Sequence, residues 1–499
     1  MIFNWRWNLL VVIIAVTLTS HGFGQDYRVD DLEQDQLIEL ALHPTPEVTP
    51  ALKYRLFPAT DELYNRNAAI YYHRAAGAFS RTENNIRSNG RDGVKPDPNL
   101  PQSPYMLGDD EYQRWANGPL DEMPLDRVKH WLQAHHQVEI ELRRACYSSF
   151  CDWGMPPEEE REQQFLLLIP EIQSMRSLAR YLALKIRVEI VEKRYEDAIT
   201  SMRYGFKLAN DVGQSHYLVG SLVGIACSEI IRSEMVWYVQ EPDSPNLFWA
   251  MTTLPNPVVT CRSALGREVA HLKSGGGFVL LTHPDKARRT VAEWNQVLDE
   301  YLEQVRQMLY SDKDEKVMQR FSILSSYPSA RKRLLEQGYT EAELDKMPAI
   351  QACAIVQQQI NVWMHDEYAK HLNTTSYPRL IAAAERIEEL QQARFETGRA
   401  VIPMGDLLYP AMQQITVAEA SNQRRLASIQ VIEAIRLHLG GNDTLPGQLD
   451  ELTVPVPENP EFETPFRYKS KGDTAQLLDF GTLRYRATAY TLKPTTAGE

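Results

Sequence analysis

Residues 176–239 read RSLARYLALKIRVEIVEKRYEDAITSMRYGFKLANDVGQSHYLVGSLVGIACSEIIRSEMVWYV, and this stretch decides the fold. It predicts three consecutive helices, the first ending at Lys193-Arg194. In the second, Tyr195, Ala198, Ile199, Met202, Phe206 and Ala209 form a stripe at three-four spacing. The third, 217–238, is apolar on nearly every side, and a helix without a polar face has to be covered by others. Its small residues Gly220, Gly224 and Ala226 let another backbone approach closely. The first two helices resemble a single tetratricopeptide-type hairpin, with no second copy at that period. The fold class expected is therefore mainly α: a multi-helix array with a tetratricopeptide-like hairpin at its centre.

Upstream, Arg6 precedes an apolar run over 9–18, and His21-Gly22-Phe23-Gly24 supplies small residues before Gln25-Asp26. Ten apolar residues are too few for a span, which needs about 20, and suit a signal peptide over 1–24. The alternative is an uncleaved anchor. No transmembrane span is expected in the mature chain, because the apolar run at 217–227 is followed by Glu229, Arg232 and Glu234. The 25–110 region is expected to hold short helices and a long loop. One helix is predicted over 30–42, carrying Leu32, Leu37, Leu40 and Leu42 among acids. A second is predicted over 61–79, with Leu63, Ile70, Tyr71 and Phe79 inward, before a loop over 80–108. From Pro124 a continuous helix is predicted to about Cys146, striped by Val128, Trp131, Leu132, His135, Val138 and Leu142.

Downstream, the main helical domain extends to residue 400. Thr340 with Glu343 forms a capping box, and Met347-Pro348 opens a helix predicted to reach His371. The 401–499 region reads as a separate module, a long helix over 411–439 followed by a β-hairpin over 466–480.

The chain has 499 residues, is 43% hydrophobic and 24% charged, and carries a net charge of −13. That size can bury a large core without disulfides or metals. The acidic balance argues against a nucleic-acid partner, which needs a basic patch or stripe; the longest basic run is Arg331-Lys332-Arg333. Cys146 and Cys151 stand close enough to pair under oxidising conditions, an alternative left open.

Candidate chemistry is sparse. Glu367 and His371 lie four apart, so one helix face would hold both, with His365 and Asp366 beside them. The plainer reading is a solvated face with an Asp366–Lys370 ion pair. His135, His136, Cys146 and Cys151 suggest zinc, but ten helical residues between His136 and Cys146 span about 15 Å, too far for one tetrahedral ion. No cofactor or metal is expected. Trp153, Trp249 and Trp294 are candidate ligand- or partner-surface residues, against the commoner reading of aromatic core.

Several motifs carry a resemblance. Cys151-Asp152-Trp153-Gly154, 178–184 with Tyr195-Glu196-Asp197-Ala198, and Asn246-Leu247-Phe248-Trp249-Ala250 with Leu254-Pro255-Asn256-Pro257 resemble a family of exported proteins from planctomycete-type bacteria. Gln337-Gly338, Met347-Pro348 and 366–370 fit the same pattern. This resemblance implies export and names no reaction. The tail is similar to the last part of pseudopilin-like proteins. There Asn459-Pro460 and Glu463-Thr464-Pro465 replace the usual Asp-Pro and Gly, which removes support for a carried-over ion site. The long pilin-type apolar helix is absent, so the resemblance does not extend to pilus assembly. The expectation is an exported, non-enzymatic, helical protein of the cell envelope that binds an unidentified protein or surface partner. The alternative is a hydrolase or metal-dependent enzyme whose site, with His365, Glu367 and His371 as candidates, assembles only in three dimensions.

Overall fold

The structure, a computed structural model, describes residues 36–91, 114–116, 118–154, 169–215, 217–273, 280–309, 316–371, 373–395, 404–482 and 487–495. The predicted leader and the part of the expected loop from 92 to 108 lie outside the described residues. The chain divides into two compact units. The described residues within 24–261 and 418–499 form one, called here the terminal unit; those within 262–417 form the other, the middle unit.

In the terminal unit, β1 (Leu37–Leu42) and β2 (Tyr64–Asn67) lead into α1 (Ala68–Arg91). Then come α2 (Leu125–Ala134), α3 (His136–Cys146) and β3 (Ser148–Phe150), the last paired in parallel with β2. The three consecutive helices expected over 176–239 follow as α4 (Ile169–Val191), α5 (Tyr195–Gly213) and α6 (Leu218–Tyr238), which pack pairwise on one another. No residue of α6 is exposed, as its all-round apolarity requires. Close approach is built in at Gly224, where a β-carbon would meet the α5 backbone at Ala209 O (2.7 Å) and Gly213 N (2.8 Å). Ser221 Oγ donates to Gly213 O at 3.1 Å across the same crossing. A one-turn helix, α7 (Phe248–Met251), is set by Asn246, whose Oδ1 accepts the Phe248 amide at 2.9 Å.

The middle unit contains α8 (Arg262–Lys273), α9 (Val291–Leu309), α10 (Lys316–Ser325), α11 (Tyr327–Glu336), α12 (Glu341–Lys346), α13 (Ala349–Ala369) and α14 (Tyr377–Phe395). Helices α8, α9, α10, α11 and α14 all pack on α13, which buries Ile350, Cys353, Ile355, Val356, Ile360 and Met364. The capping box at α12 forms as predicted: Thr340 N donates to Glu343 Oε2 at 2.8 Å, and Glu343 N to Thr340 Oγ1 at 3.3 Å.

Helix α15 (Met404–Asn442) contributes its residues from 418 onward to the terminal unit. Strands β4 (Arg467–Lys471), β5 (Thr474–Asp479) and β6 (Thr488–Pro494) follow. The sheet order is β1-β6-β5-β4, with β1 parallel to β6 from Leu37↔Ala489 to Leu42↔Pro494 and the other pairs antiparallel.

Several local expectations are corrected. Residues 37–42 are a strand, not the end of a helix: Leu40 and Leu42 are fully buried at period two, with exposed Glu39 before them. The helix expected over 61–79 starts only at Ala68, after strand β2, and continues through Arg91 instead of stopping at Phe79. The 125–146 helix breaks at His135 (φ −98°, ψ 15°). Ile70, expected inward, is 50% exposed. The hairpin is real but belongs to a larger sheet, and the tail shares its unit with the amino-terminal half instead of standing apart, because its last strand pairs with β1. All five cysteines are free thiols, Cys146 and Cys151 included.

Buried charge ties α15 to its surroundings. Arg424, fully buried, lies 3.0 Å from Glu461 and 3.2 Å from Asp479. Glu461 is aimed inward by its loop: Asn459 Oδ1 accepts the Glu461 amide at 3.0 Å, and Asn459 Nδ2 donates to Phe480 O at 2.8 Å. Nearer the helix end, Arg436 pairs with Glu433 at 3.0 Å and donates to Ser244 Oγ at 2.8 Å, while Asn246 Nδ2 donates to Glu433 Oε2 at 2.7 Å. The Asn246-Leu247-Phe248-Trp249-Ala250 motif is thus a clamp on α15.

On α6, Glu234 pairs with Arg187 of α4 at 3.2 Å, and burial pushes its carboxyl up to about 7, with Arg187 opposing. The folded value exceeds the unfolded one of 4.5, so the folded state holds the extra proton. Its contribution to stability is fully present below the unfolded value and is lost as pH rises through about 7. Glu234→Gln is therefore expected to flatten part of the fall in thermal midpoint between mildly acidic and mildly alkaline pH. An unchanged fall in the variant contradicts this assignment.

Candidate functional site

The two sequence-derived clusters do not assemble into sites. Helix α13 ends at Ala369, so His371 lies beyond it and shares no helical face with Glu367. His365 Nδ1 is 2.9 Å from its neighbour Asp366, and Lys370 donates to Glu367 at 2.6 Å, in place of the expected Asp366–Lys370 pair. Among the described residues no group of three or more His, Cys, Asp or Glu side chains is arranged to hold a metal ion. His135 is instead a fully buried link: its Nε2 lies 3.1 Å from Glu83 and its Nδ1 2.9 Å from Trp131 O.

The three tryptophans separate. Trp294, in the middle unit, is fully buried with the Arg289 guanidinium 5.1 Å from its ring centre; it is core. Trp249 is half-buried and donates to Glu47 at 3.0 Å. Trp153 stacks on Tyr72 (5.8 Å, 14°), meets His73 edge-on and donates Nε1–H to Asp211 O at 3.0 Å. Beside it Asn67 and Asp152 exchange two bonds, Asn67 Nδ2 to Asp152 O (2.7 Å) and Asp152 N to Asn67 Oδ1 (2.9 Å). Gly154 then turns with φ +65°, a conformation that favours glycine. The Cys-Asp-Trp-Gly motif therefore fastens the chain after β3 onto α1 and α5.

Under this loop lies a buried polar cluster. Tyr72 donates to Asp211 Oδ2 at 2.8 Å, and Lys207 reaches both Asp211 oxygens at 2.5 and 2.6 Å. Burial raises the Asp211 carboxyl, against the pull of Lys207, and raises the Tyr72 hydroxyl well above its usual range. Burial also pushes the Cys146 thiol up to about 12 and the Cys151 thiol higher still. Thiols held protonated are poor nucleophiles, so this cluster anchors the loop.

A more open feature lies on α1 and α3. Helices α1 and α3 pack together, and between them runs a groove of about 550 Å³ lined by Arg74, Gly77, Arg81, Gln137 and Glu141. That volume falls in the range of small-ligand sites, roughly 300–1,000 Å³. Helical spacing makes the lining: Arg74, Gly77 and Arg81 stand at i, i+3 and i+7 on α1, and Gln137 and Glu141 at i and i+4 on α3. Gly77 keeps the floor low, since a β-carbon there would meet nothing within 4 Å. On the α3 wall Glu141 is 5% exposed, and its Oε1 accepts from Gln137 (3.1 Å) and Arg144 (2.9 Å). Neither Arg74 nor Arg81 takes part in an ion pair among the described residues, although both are exposed. Two guanidinium forks in a concave site can take a carboxylate or phosphate bidentately.

Sequence reasoning missed this site because it ended the helix before Arg81. The signal was present as Arg74-x-x-Gly77-x-x-x-Arg81, one face of a longer helix. Among the described residues no helix is long and apolar enough to cross a membrane. Comparison with protein-family models, with curated proteins and with solved structures finds no match.

Proposed function

We propose that this chain is an exported, mainly helical binding protein of the cell envelope that recognises an anionic group in the α1–α3 groove. The observation that carries the reading is the Arg74–Arg81 pair, exposed in a concave site and drawn into no ion pair among the described residues, so that with the one facing carboxylate of Glu141 the lining keeps a cationic excess. The leader-like start and the resemblance to exported planctomycete-type proteins support the export part. The tetratricopeptide-like reading of α4 and α5 fits a scaffold that holds α1 and α3 in place. The pseudopilin-like tail acts in this reading as a brace, since its charged loop locks α15. No nucleic-acid partner is proposed, in keeping with the net charge of −13.

The test uses citrate as a plain polyanion. Thermal midpoint is expected to rise saturably with citrate in the unmodified protein and to stay flat in Arg74→Gln/Arg81→Gln, since a ligand that binds only the folded state stabilises by mass action. An equal rise in both proteins overturns the reading.

A further inference from the structure

The groove does not end at Arg74. The Arg74 guanidinium lies 5.5 Å from the Tyr71 ring centre, Arg66 lies 5.5 Å from the same ring, and Arg66 lies 4.6 Å from the ring of Tyr64. Tyr64, Arg66, Tyr71 and Arg74 thus form a continuous ladder of alternating rings and cations that enters the groove. On α1 itself Ile70 precedes Arg74 by four residues, so Ile70, Arg74, Gly77 and Arg81 succeed one another at helical spacing on one exposed face. Ile70 is 50% exposed and Tyr64 62% exposed, so one end of the strip is apolar and aromatic while the other is cationic.

We infer that the ligand of this site is an extended acidic protein segment carrying one aromatic residue, laid along β2 and α1 from Tyr64 to Arg81. This rests on the reading of the groove as an anion site and adds to it the partner class. The chemistry follows from the ladder. A guanidinium stacked on a ring uses its face and leaves its edge N–H donors free for a carboxylate. No ion pair among the described residues draws on Arg66, Arg74 or Arg81. The seven residues from Arg74 to Arg81 rise about 10 Å along the helix, which an extended peptide covers in roughly three residues at about 3.3 Å each. The four from Ile70 to Arg74 rise about 6 Å, roughly two extended residues. The matching pattern is an aromatic residue, a spacer, an acid, two spacers and a second acid. A long polyanion fits less well, because the cationic strip is short and the whole chain is acidic, at −13. An aromatic side chain at the Ile70–Tyr64 end gains from burial and from the exposed ring.

The experiment is fluorescence anisotropy of the full chain with the labelled peptide Phe-Gly-Glu-Gly-Gly-Glu. Binding is expected to be saturable, to weaken about tenfold with Arg74→Gln, as loss of one charge-assisted pair implies, and to weaken several-fold with Tyr71→Ala or with glycine in place of the peptide's phenylalanine. The citrate response of Tyr71→Ala is expected to persist, which shows that the variant is folded and separates the two readings. Equal binding of the phenylalanine and glycine peptides, or unaltered binding by Tyr71→Ala, overturns the inference while leaving the anion site standing. Displacement of the peptide by a single-stranded oligonucleotide at comparable concentration also overturns it. Loss of the citrate response in the unmodified protein removes the anion site itself.

Discussion

Gly224→Val is expected to leave the terminal unit unfolded or grossly destabilised, by more than about 4 kcal/mol, a size reserved for backbone clashes and similar core defects. The reason is specific. A β-carbon at 224 would stand 2.7 Å from Ala209 O, 2.8 Å from Gly213 N and 2.9 Å from Gly213 Cα, and those are helix backbone atoms that cannot rotate away. To accept it α6 must move off α5, which opens a core that includes Phe206, Leu208, Ile231 and Met235, all buried. Against a typical total stability of roughly 5–15 kcal/mol, little would remain. Urea unfolding of Gly224→Ala, the milder change, measures it: a loss within about 1 kcal/mol, the ordinary size for a single substitution, contradicts the crossing as described.

Arg424→Met should be almost as costly, for an electrostatic reason. Arg424 is the cation between Glu461 and Asp479, and all three are essentially inaccessible. Its Nη1 also donates to Asp479 O at 2.9 Å. Removing one partner of a buried ion cluster leaves uncompensated charge and costs about 3–5 kcal/mol. Neutralising the partners as well is much cheaper, because a shape-matched neutral cluster strands no charge. The triple variant Arg424→Met/Glu461→Gln/Asp479→Asn is therefore expected to recover most of the lost stability in urea titrations. If the single variant is no less stable than the triple, the cluster is not the constraint described.

The two predictions mark what could be read from the chain and what could not. Gly224 was legible, since an all-apolar helix with small residues must meet a backbone, and helical periodicity placed α4, α5 and α6 within a few residues. The Thr340–Glu343 box and the β4–β5 hairpin were legible for the same reason: their physics is local. Arg424 was not, because its partners lie 37 and 55 residues away and nothing in a local window distinguishes it from a solvated arginine. Strand β1 was hidden more deeply. Its partner β6 lies 452 positions on and runs parallel, so the short run Ile38, Leu40, Leu42 had to be judged alone, and scattered leucines among acids mimic an amphipathic helix.

The candidate site was illegible through one boundary. With α1 stopped at Phe79, Arg81 and Glu83 fell in a supposed loop. Restored to the helix, Glu83 meets His135 and Trp131 on the buried side, and Arg81 joins Arg74 on the open one. Among the tryptophans, Trp153 was a sound place to look for a different reason from the one that suggested it. Its ring does not line the groove; it pins the loop after β3 onto α1 and α5.

Amide hydrogen exchange on the full chain, with and without the peptide Phe-Gly-Glu-Gly-Gly-Glu, tests the central claim most directly. The account predicts new protection confined to residues 64–81 and 136–144, absent in Arg74→Gln/Arg81→Gln. Protection centred instead on residues 365–371 or around Trp249, or protection that survives in the double variant, would contradict it.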